Sequence, residues 1–173
     1  MRLLNLNTVL CVGSGLTLDP QRLAGSGLEV DAMDFSKFAM DVMREIDLTD
    51  EFLDRICEDE LRKEGGICRF VEGNLFDHSV CPGPYDVVLE RSTVQTLGSR
   101  RREGVQSLQG RVSKDGYLIS QWHNVPEAGE WLRNLGYGVV RANSAEEALE
   151  GMAELQEQDL RGARPIWLFR TSG

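Results

Sequence analysis

Short apolar runs recur along the chain at Thr8–Val12, Leu28–Met33, Ile67–Val71, Tyr85–Glu90, Gly116–Gln121, Tyr137–Arg141 and Ile166–Arg170. Helical patterns lie between the first five, so strands alternate with helices, the mark of a parallel sheet with crossover helices. Asp19-Pro20 predicts the first helix start, because aspartate caps free amides and proline fits the first turn. Gly25 and Gly27 end that helix. A second helix is expected from Ser36 with Phe38, Val42 and Ile46 on one face. A third is expected from Thr49 with a stripe of Phe52, Leu53, Ile56 and Leu61, stopped by Gly65-Gly66. Arg101–Gln109 is a sparser helical pattern, anchored by Val105 and Leu108 and interrupted by Gly104. Two more helices are expected from Pro126 to Leu135 and from the capping-box spacing of Ser144-Ala-Glu-Glu147 through Leu155. Periodicity does not decide whether that last helix is a crossover or an excursion inside an antiparallel edge pair.

At 173 residues with 41% apolar content, the chain is expected to form a single domain spanning 1–173. No segment has the pattern of a signal peptide or the length of a membrane span, so a cytoplasmic protein without a membrane partner is expected. Cys11, Cys57, Cys68 and Cys81 form no CxxC pair and read as reduced, structural thiols. The net charge of -9 argues against bulk nucleic acid as a partner, while Arg100-Arg-Arg102 offers either a solvated helix start or an anion contact. Asp77-His-Ser-Val-Cys81 contains ligand-type side chains, but proximity in sequence does not make a tetrahedral site, and no metal is expected.

In open α/β sheets, ligands bind beyond the carboxyl ends of the strands. Four such ends carry Gly13-Ser-Gly15, Asp34, Gly73-Asn-Leu-Phe-Asp77 and Glu90-Arg-Ser-Thr93. Gly13 and Gly15 let bare backbone approach a ligand or make an ordinary tight turn. Asp34 is placed to accept both ribose hydroxyls or to cap the helix near Ser36. Asn74 carries a donor and an acceptor for a purine edge, with Leu75 and Phe76 as covers; the alternatives are an Asx turn and core packing. Glu90 and Arg91 either face cofactor and acceptor or pair with helix residues. Trp122-His123-Asn124 follows the fifth strand, with His123 as a candidate base because its pKa lies near neutrality.

On VLCVGSG (9–15), VDAMD (30–34), FVEGNLFD (70–77), YDVVLER (85–91), DGYLIS (115–120) and the closing pair YGVV and PIWLF, the chain resembles the class I S-adenosylmethionine-dependent methyltransferases. The resemblance covers nearly the whole chain. It implies a Rossmann-like fold with a mostly parallel seven-stranded sheet, helices on both faces and an antiparallel closing strand. It also implies S-adenosyl-L-methionine as cofactor, held by Gly13, Gly15, Asp34, Asn74, Leu75 and Glu90, with Glu90, Arg91 and His123 as the catalytic candidates. A small molecule or a protein is the expected methyl acceptor. The chain departs from the family pattern at Cys11, where an acid is usual, and at Thr17, where a third glycine is common. Only seven residues precede Thr8, where many members place a covering helix, so an open site or one completed in a homodimer is expected.

Two other classes stand beside this reading. A methyltransferase-like interaction or regulatory protein with reduced or lost catalysis fits Cys11 and Thr17. A nicotinamide-dependent oxidoreductase would need glycine at Leu18, where a bulky side chain obstructs the close helix approach.

Overall fold

The computed structural model describes residues 6–46, 49–56, 65–121, 138–142 and 165–169. The elements follow in the order β1 (Thr8–Val12), α1 (Asp19–Gly25), β2 (Glu29–Asp34), α2 (Lys37–Arg44), α3 (Asp50–Ile56), β3 (Ile67–Glu72) and β4 (Tyr85–Arg91). Then come α4 (Thr93–Thr96), a 3-10 turn over Gly98–Arg100, α5 (Arg101–Gln109), β5 (Val112–Gln121), β6 (Gly138–Ala142) and β7 (Pro165–Phe169). The sheet order is β3-β2-β1-β4-β5-β7-β6. Because the order reverses between β1 and β4, a crevice opens beyond their carboxyl ends, and the candidate ligand groups converge on it.

The register is parallel throughout β3, β2, β1, β4 and β5. The expected antiparallel closing strand is corrected: β7 runs parallel to β5, with Leu118 opposite Ile166, and parallel to β6, with Val139 also opposite Ile166. Residues 143–164 join β6 to β7, and a connection of about a dozen residues or more is long enough for a crossover back to the same end of the sheet. The helices expected over 126–135 and 144–155 lie outside the described residues.

Alternation along the strands sends side chains into two apolar layers. Leu10, Val12, Met33 and Val88 face Val94, Val105 and Leu108 on one side. Val9, Cys11, Val30 and Val87 pack with Ala24 of α1 on the other. Strands covered on both faces read as near-continuous apolar runs, which is why β1, β2, β4 and β5 are conspicuous in sequence, whereas the edge strand β3 has no buried residue. Strand β5 begins earlier than its apolar run because a register irregularity separates the Tyr85–Val112 and Val87–Tyr117 pairs. Gly116 belongs there: a Cβ would stand 2.6 Å from the Asp86 carbonyl oxygen.

Helix phase departs from expectation in α2. The Ser36 hydroxyl accepts the Ala39 amide, as a cap should. The buried face is nevertheless Ala39, Met40 and Met43, while Phe38 is 71% exposed. The cap fixes where the helix starts and therefore its rotation, and that rotation turns methionines rather than Phe38 inward. In α5, Gly104 is no interruption, since a Cβ there would come within 2.3 Å of Leu97 and glycine lets the helix pack against it. Asp19 does not cap α1; it is the first helical residue.

Gln21 on α1 is fully buried, and neither end of its amide has a hydrogen-bond partner among the described residues. Replacing a buried polar group of this kind by an apolar one of similar shape removes its desolvation cost. Gln21→Met is therefore expected to raise unfolding stability by about 1–2 kcal/mol in urea titrations.

Candidate functional site

The glycine turn leaves β1 with Gly13 at φ 65° and Gly15 at φ 52°, a left-handed region that disfavours other residues. Gly13 has a second constraint. A Cβ on it would collide with the Thr93 hydroxyl, which donates to the Val12 carbonyl at 3.3 Å. Among the described residues, nothing within 4 Å crowds a Cβ at Gly15. Gly13 thus serves close packing against the turn after β4, and Gly15 faces open space.

The amides of this turn are engaged within the protein. Gly13 donates to the Met33 carbonyl at 2.8 Å, and Ser14 shares that acceptor at 3.4 Å. Gly15 donates to one oxygen of the Asp34 carboxylate at 2.9 Å, and Ser36 donates to the other at 2.8 Å. Asp34 is 8% exposed. Its carboxylate joins the glycine turn to the start of α2: the bond to Ser36 matches the helix-start alternative, and the bond to Gly15 was not apparent from its position at a strand end. Each carboxylate oxygen retains capacity for a further donor.

Beside this clamp, three apolar side chains face solvent: Leu16 at 56%, Phe35 at 84% and Phe38 at 71% exposure. Leu16 and Phe35 directly follow the bonded pair Gly15 and Asp34. Sequence reasoning did not single out Phe35 and placed Phe38 on the apolar face of its helix; an aromatic immediately after a strand-end acid was the available signal for Phe35.

Further along the edge, the Gly73 amide donates to the Asp34 carbonyl at 2.9 Å, bringing the β3 end beside the β2 end. Asn74 is exposed, and its side-chain oxygen accepts the Phe76 amide at 3.0 Å in an Asx turn. Leu75 is buried in the hydrophobic core. Phe76 carries the Arg100 guanidinium 3.6 Å from its ring centre, while Arg100 is also held by Glu103 at 2.7–2.8 Å. Arg101 donates to the Gln95 carbonyl. Two of the three consecutive arginines are therefore tied to neighbouring groups.

Glu90 is completely buried. One carboxylate oxygen accepts the amides of Thr93 at 2.9 Å and Val94 at 3.1 Å, and the other accepts the Ser120 hydroxyl. It organises the turn into α4, where Ser92 sits at φ 64°. Arg91 instead lies in the crevice lining with Gly13 and Ser14, and pairs at 3.0 Å with Asp19. The structure thus brings Gly13, Gly15, Asp34, Glu90 and Arg91 to one end of the sheet. His123 lies outside the described residues.

Cys11 lines the same crevice and is 4% exposed. Burial pushes its thiol well above the usual range, with the charges of Cys68 and Asp19 adding to the shift. Burial likewise raises Cys68 from 9.0 to about 12, assisted by Asp31 and opposed by Arg69. Arg111 is also buried, its guanidinium hydrogen-bonded to the carbonyls of Asp77, Val80, Cys81 and Ser107 and to the Ser107 hydroxyl. It ties the segment after β3 to α5. Among the described residues, no group of His, Cys, Asp and Glu is arranged to hold a metal ion. Among them, too, no helix is long and apolar enough to cross a membrane.

The β3-β2-β1-β4-β5 order and the flanking helices match a Rossmann-like class I methyltransferase topology. No protein-family model matches the chain, and no curated protein matches it. Among solved structures, it is similar to an S-adenosylmethionine-dependent methyltransferase of Methanosarcina mazei, at 19% identity and TM-score 0.52. That match covers 67% of this chain and 52% of the other. A protein described for conversion of a disulfide bond into a thioacetal group during echinomycin biosynthesis is 21% identical, with TM-score 0.52 and coverages of 86% and 61%. (S)-3-hydroxybutyryl-CoA dehydrogenase of Ralstonia eutropha is 18% identical, with TM-score 0.51 and coverages of 98% and 65%. The chain spans about half the length of the Methanosarcina mazei protein. These likenesses establish a Rossmann-like fold shared by transferases and dehydrogenases.

Two outcomes follow from the site's packing. Glu90→Ala leaves the buried Val94 amide and the partly buried Thr93 amide without this acceptor and is expected to cost about 2 kcal/mol in chemical denaturation. Because the folded state raises the pKa values of Cys11 and Cys68, it keeps both thiols protonated where the unfolded chain releases protons. This contribution is complete below about pH 9 and is lost as pH rises toward the folded value, which for Cys68 is about 12. Peptide mapping after iodoacetamide at pH 8 should find Cys11 unmodified in native protein and modified in urea.

Proposed function

We propose that the chain binds S-adenosyl-L-methionine across the carboxyl ends of β1 and β2 and transfers its methyl group to a small-molecule or protein acceptor. The observation that carries this reading is the clustering beside the glycine turn. Asp34 holds Gly15, Phe35 is 84% exposed, and the buried Ser14 hydroxyl has no partner among the described residues. These groups fit a nucleoside with an amino-acid tail: a carboxylate for ribose hydroxyls, an exposed aromatic face for a planar base and an unused hydroxyl for a polar group. Asn74, beside Asp34, supplies a hydrogen-bonding edge for adenine.

When bound, the cofactor supplies a methyl group made electrophilic by its sulfonium. The chain's task is to hold an acceptor nucleophile in line and take up a proton if the nucleophile carries one. His123 is the proposed proton acceptor, and Arg91 the proposed charged contact at the crevice. Glu90, closed off by Ser120, Thr93 and Val94, acts by shaping the turn that presents Arg91.

A methyltransferase-like protein without catalysis is the second reading. The amides of Gly13, Ser14 and Gly15 are already engaged and Cys11 replaces the family's acid, both of which favour it. Calorimetry with S-adenosylmethionine and S-adenosylhomocysteine, followed by an acceptor screen, separates the readings. Wild type should bind both, and Phe35→Ala should bind them about 2- to 12-fold more weakly with unchanged melting, the value of one aromatic contact. Absence of binding by folded, cofactor-free protein would overturn the proposal. Binding of nicotinamide dinucleotide instead would favour the dehydrogenase-like use of the same fold.

A further inference from the structure

We infer that Arg111 and Ser107 are positioning residues: together they hold the segment after β3 by its carbonyls and so fix where Asn74 stands at the carboxyl edge. Asn74 matters through the proposed cofactor site, on which this inference rests. Ser107 lies in α5 and Arg111 between α5 and β5, away from the strand ends. Arg111 is completely buried and Ser107 nearly so. Its Nε donates to the Cys81 carbonyl at 3.0 Å, and its Nη1 donates to the Ser107 carbonyl at 2.9 Å and the Ser107 hydroxyl at 2.8 Å. Its Nη2 donates to the carbonyls of Asp77 at 2.8 Å and Val80 at 3.3 Å, so every N–H of the guanidinium is engaged. The Ser107 hydroxyl gives its own proton to the Leu75 carbonyl at 2.6 Å.

A buried cation is costly unless it is fully hydrogen-bonded, and among the described residues no carboxylate is bonded to this one. Carbonyl dipoles and one hydroxyl meet its charge instead, and the carbonyls of Asp77, Val80 and Cys81 all belong to the segment joining β3 to β4. An apolar side chain of similar volume would avoid the desolvation cost but leave those carbonyls unpaired and the segment unheld. The bonds bracket Asn74. Before it, the Gly73 amide donates to the Asp34 carbonyl at 2.9 Å; after it, the Leu75 carbonyl is held by Ser107. The Asn74 carbonyl accepts the Asp77 amide at 2.9 Å, and its Oδ1 accepts the Phe76 amide at 3.0 Å. With Oδ1 held, the direction of the Asn74 NH2 group follows from the backbone, and Ser107 and Arg111 set that backbone. Loosening the segment therefore displaces Asn74 relative to Asp34, the contacts proposed for base and ribose.

The test is a double-mutant cycle on calorimetric binding of S-adenosylhomocysteine. Wild type, Ser107→Ala, Asn74→Ala and the double variant are compared, with thermal melting to verify folding. Ser107→Ala and Asn74→Ala should each weaken binding about 2- to 12-fold, the value of one hydrogen bond. The double variant should bind no more weakly than Asn74→Ala, because Ser107 acts through Asn74. Arg111→Met should weaken binding more than Ser107→Ala, and Arg111→Lys, which keeps donors for the carbonyls, should recover part of the loss. If Arg111→Met fails to fold, the Ser107 cycle decides alone. Losses that multiply in the double variant would overturn the inference and make the pair a scaffold of the fold. Unchanged binding in Ser107→Ala or in Asn74→Ala would overturn it while leaving the cofactor reading intact. Failure of folded wild type to bind S-adenosylhomocysteine would overturn that reading and this inference together.

Discussion

The geometry of the ligand-facing edge depends on one buried carboxylate. Asp34 ends β2, and its two oxygens are divided between the amides of Gly15 and Ser36. One bond fixes the turn after β1, and the other fixes the start of α2. A buried carboxylate must be well hydrogen-bonded to offset its desolvation, so the same bonds that stabilise Asp34 also make the two loops a single unit. Phe35 is presented to solvent because the residues on either side of it, Asp34 and Ser36, are held to each other.

Glu90 has the corresponding place at the end of β4. Its carboxylate closes the turn toward α4, seats Thr93 against Gly13 and leaves the next residue, Arg91, at the crevice. The two acids therefore differ from the residues that follow them. Both hold backbone amides, and the side chains beside them, Phe35 on one side and Arg91 with Asp19 on the other, lie at the surface of the crevice edge. A short strand-end motif can supply a buried anchor and an exposed contact at adjacent positions because successive side chains on a strand point to opposite faces.

Much of the architecture was legible in the chain. Apolar runs marked β1, β2, β4 and β5 because both faces of those strands are covered, and the Ser36 cap was readable because its side chain acts on its own next turn. The boundaries of β5 were harder, since the irregularity opposite Tyr85 extends pairing into Val112-Ser-Lys-Asp115, which has no apolar run. The direction of β7 was not legible, because strand orientation is a relation between distant segments and leaves no periodicity in either one.

The candidate site divides in the same way. Sequence alone determined which residue types reach the carboxyl edge, Gly13, Gly15, Asp34, Asn74, Glu90 and Arg91, because strand ends and turns are local features. Tertiary structure decided the distant contacts of those groups: Asp34 holds Gly15, Glu90 is sealed beneath α4, Leu75 joins the core, and Arg91 meets Asp19. It also turned Phe38 outward by setting the rotation of α2. Hydrogen-bond partners across distances of 19 to 81 residues arise only when strands are brought side by side, and nothing in the local pattern records them.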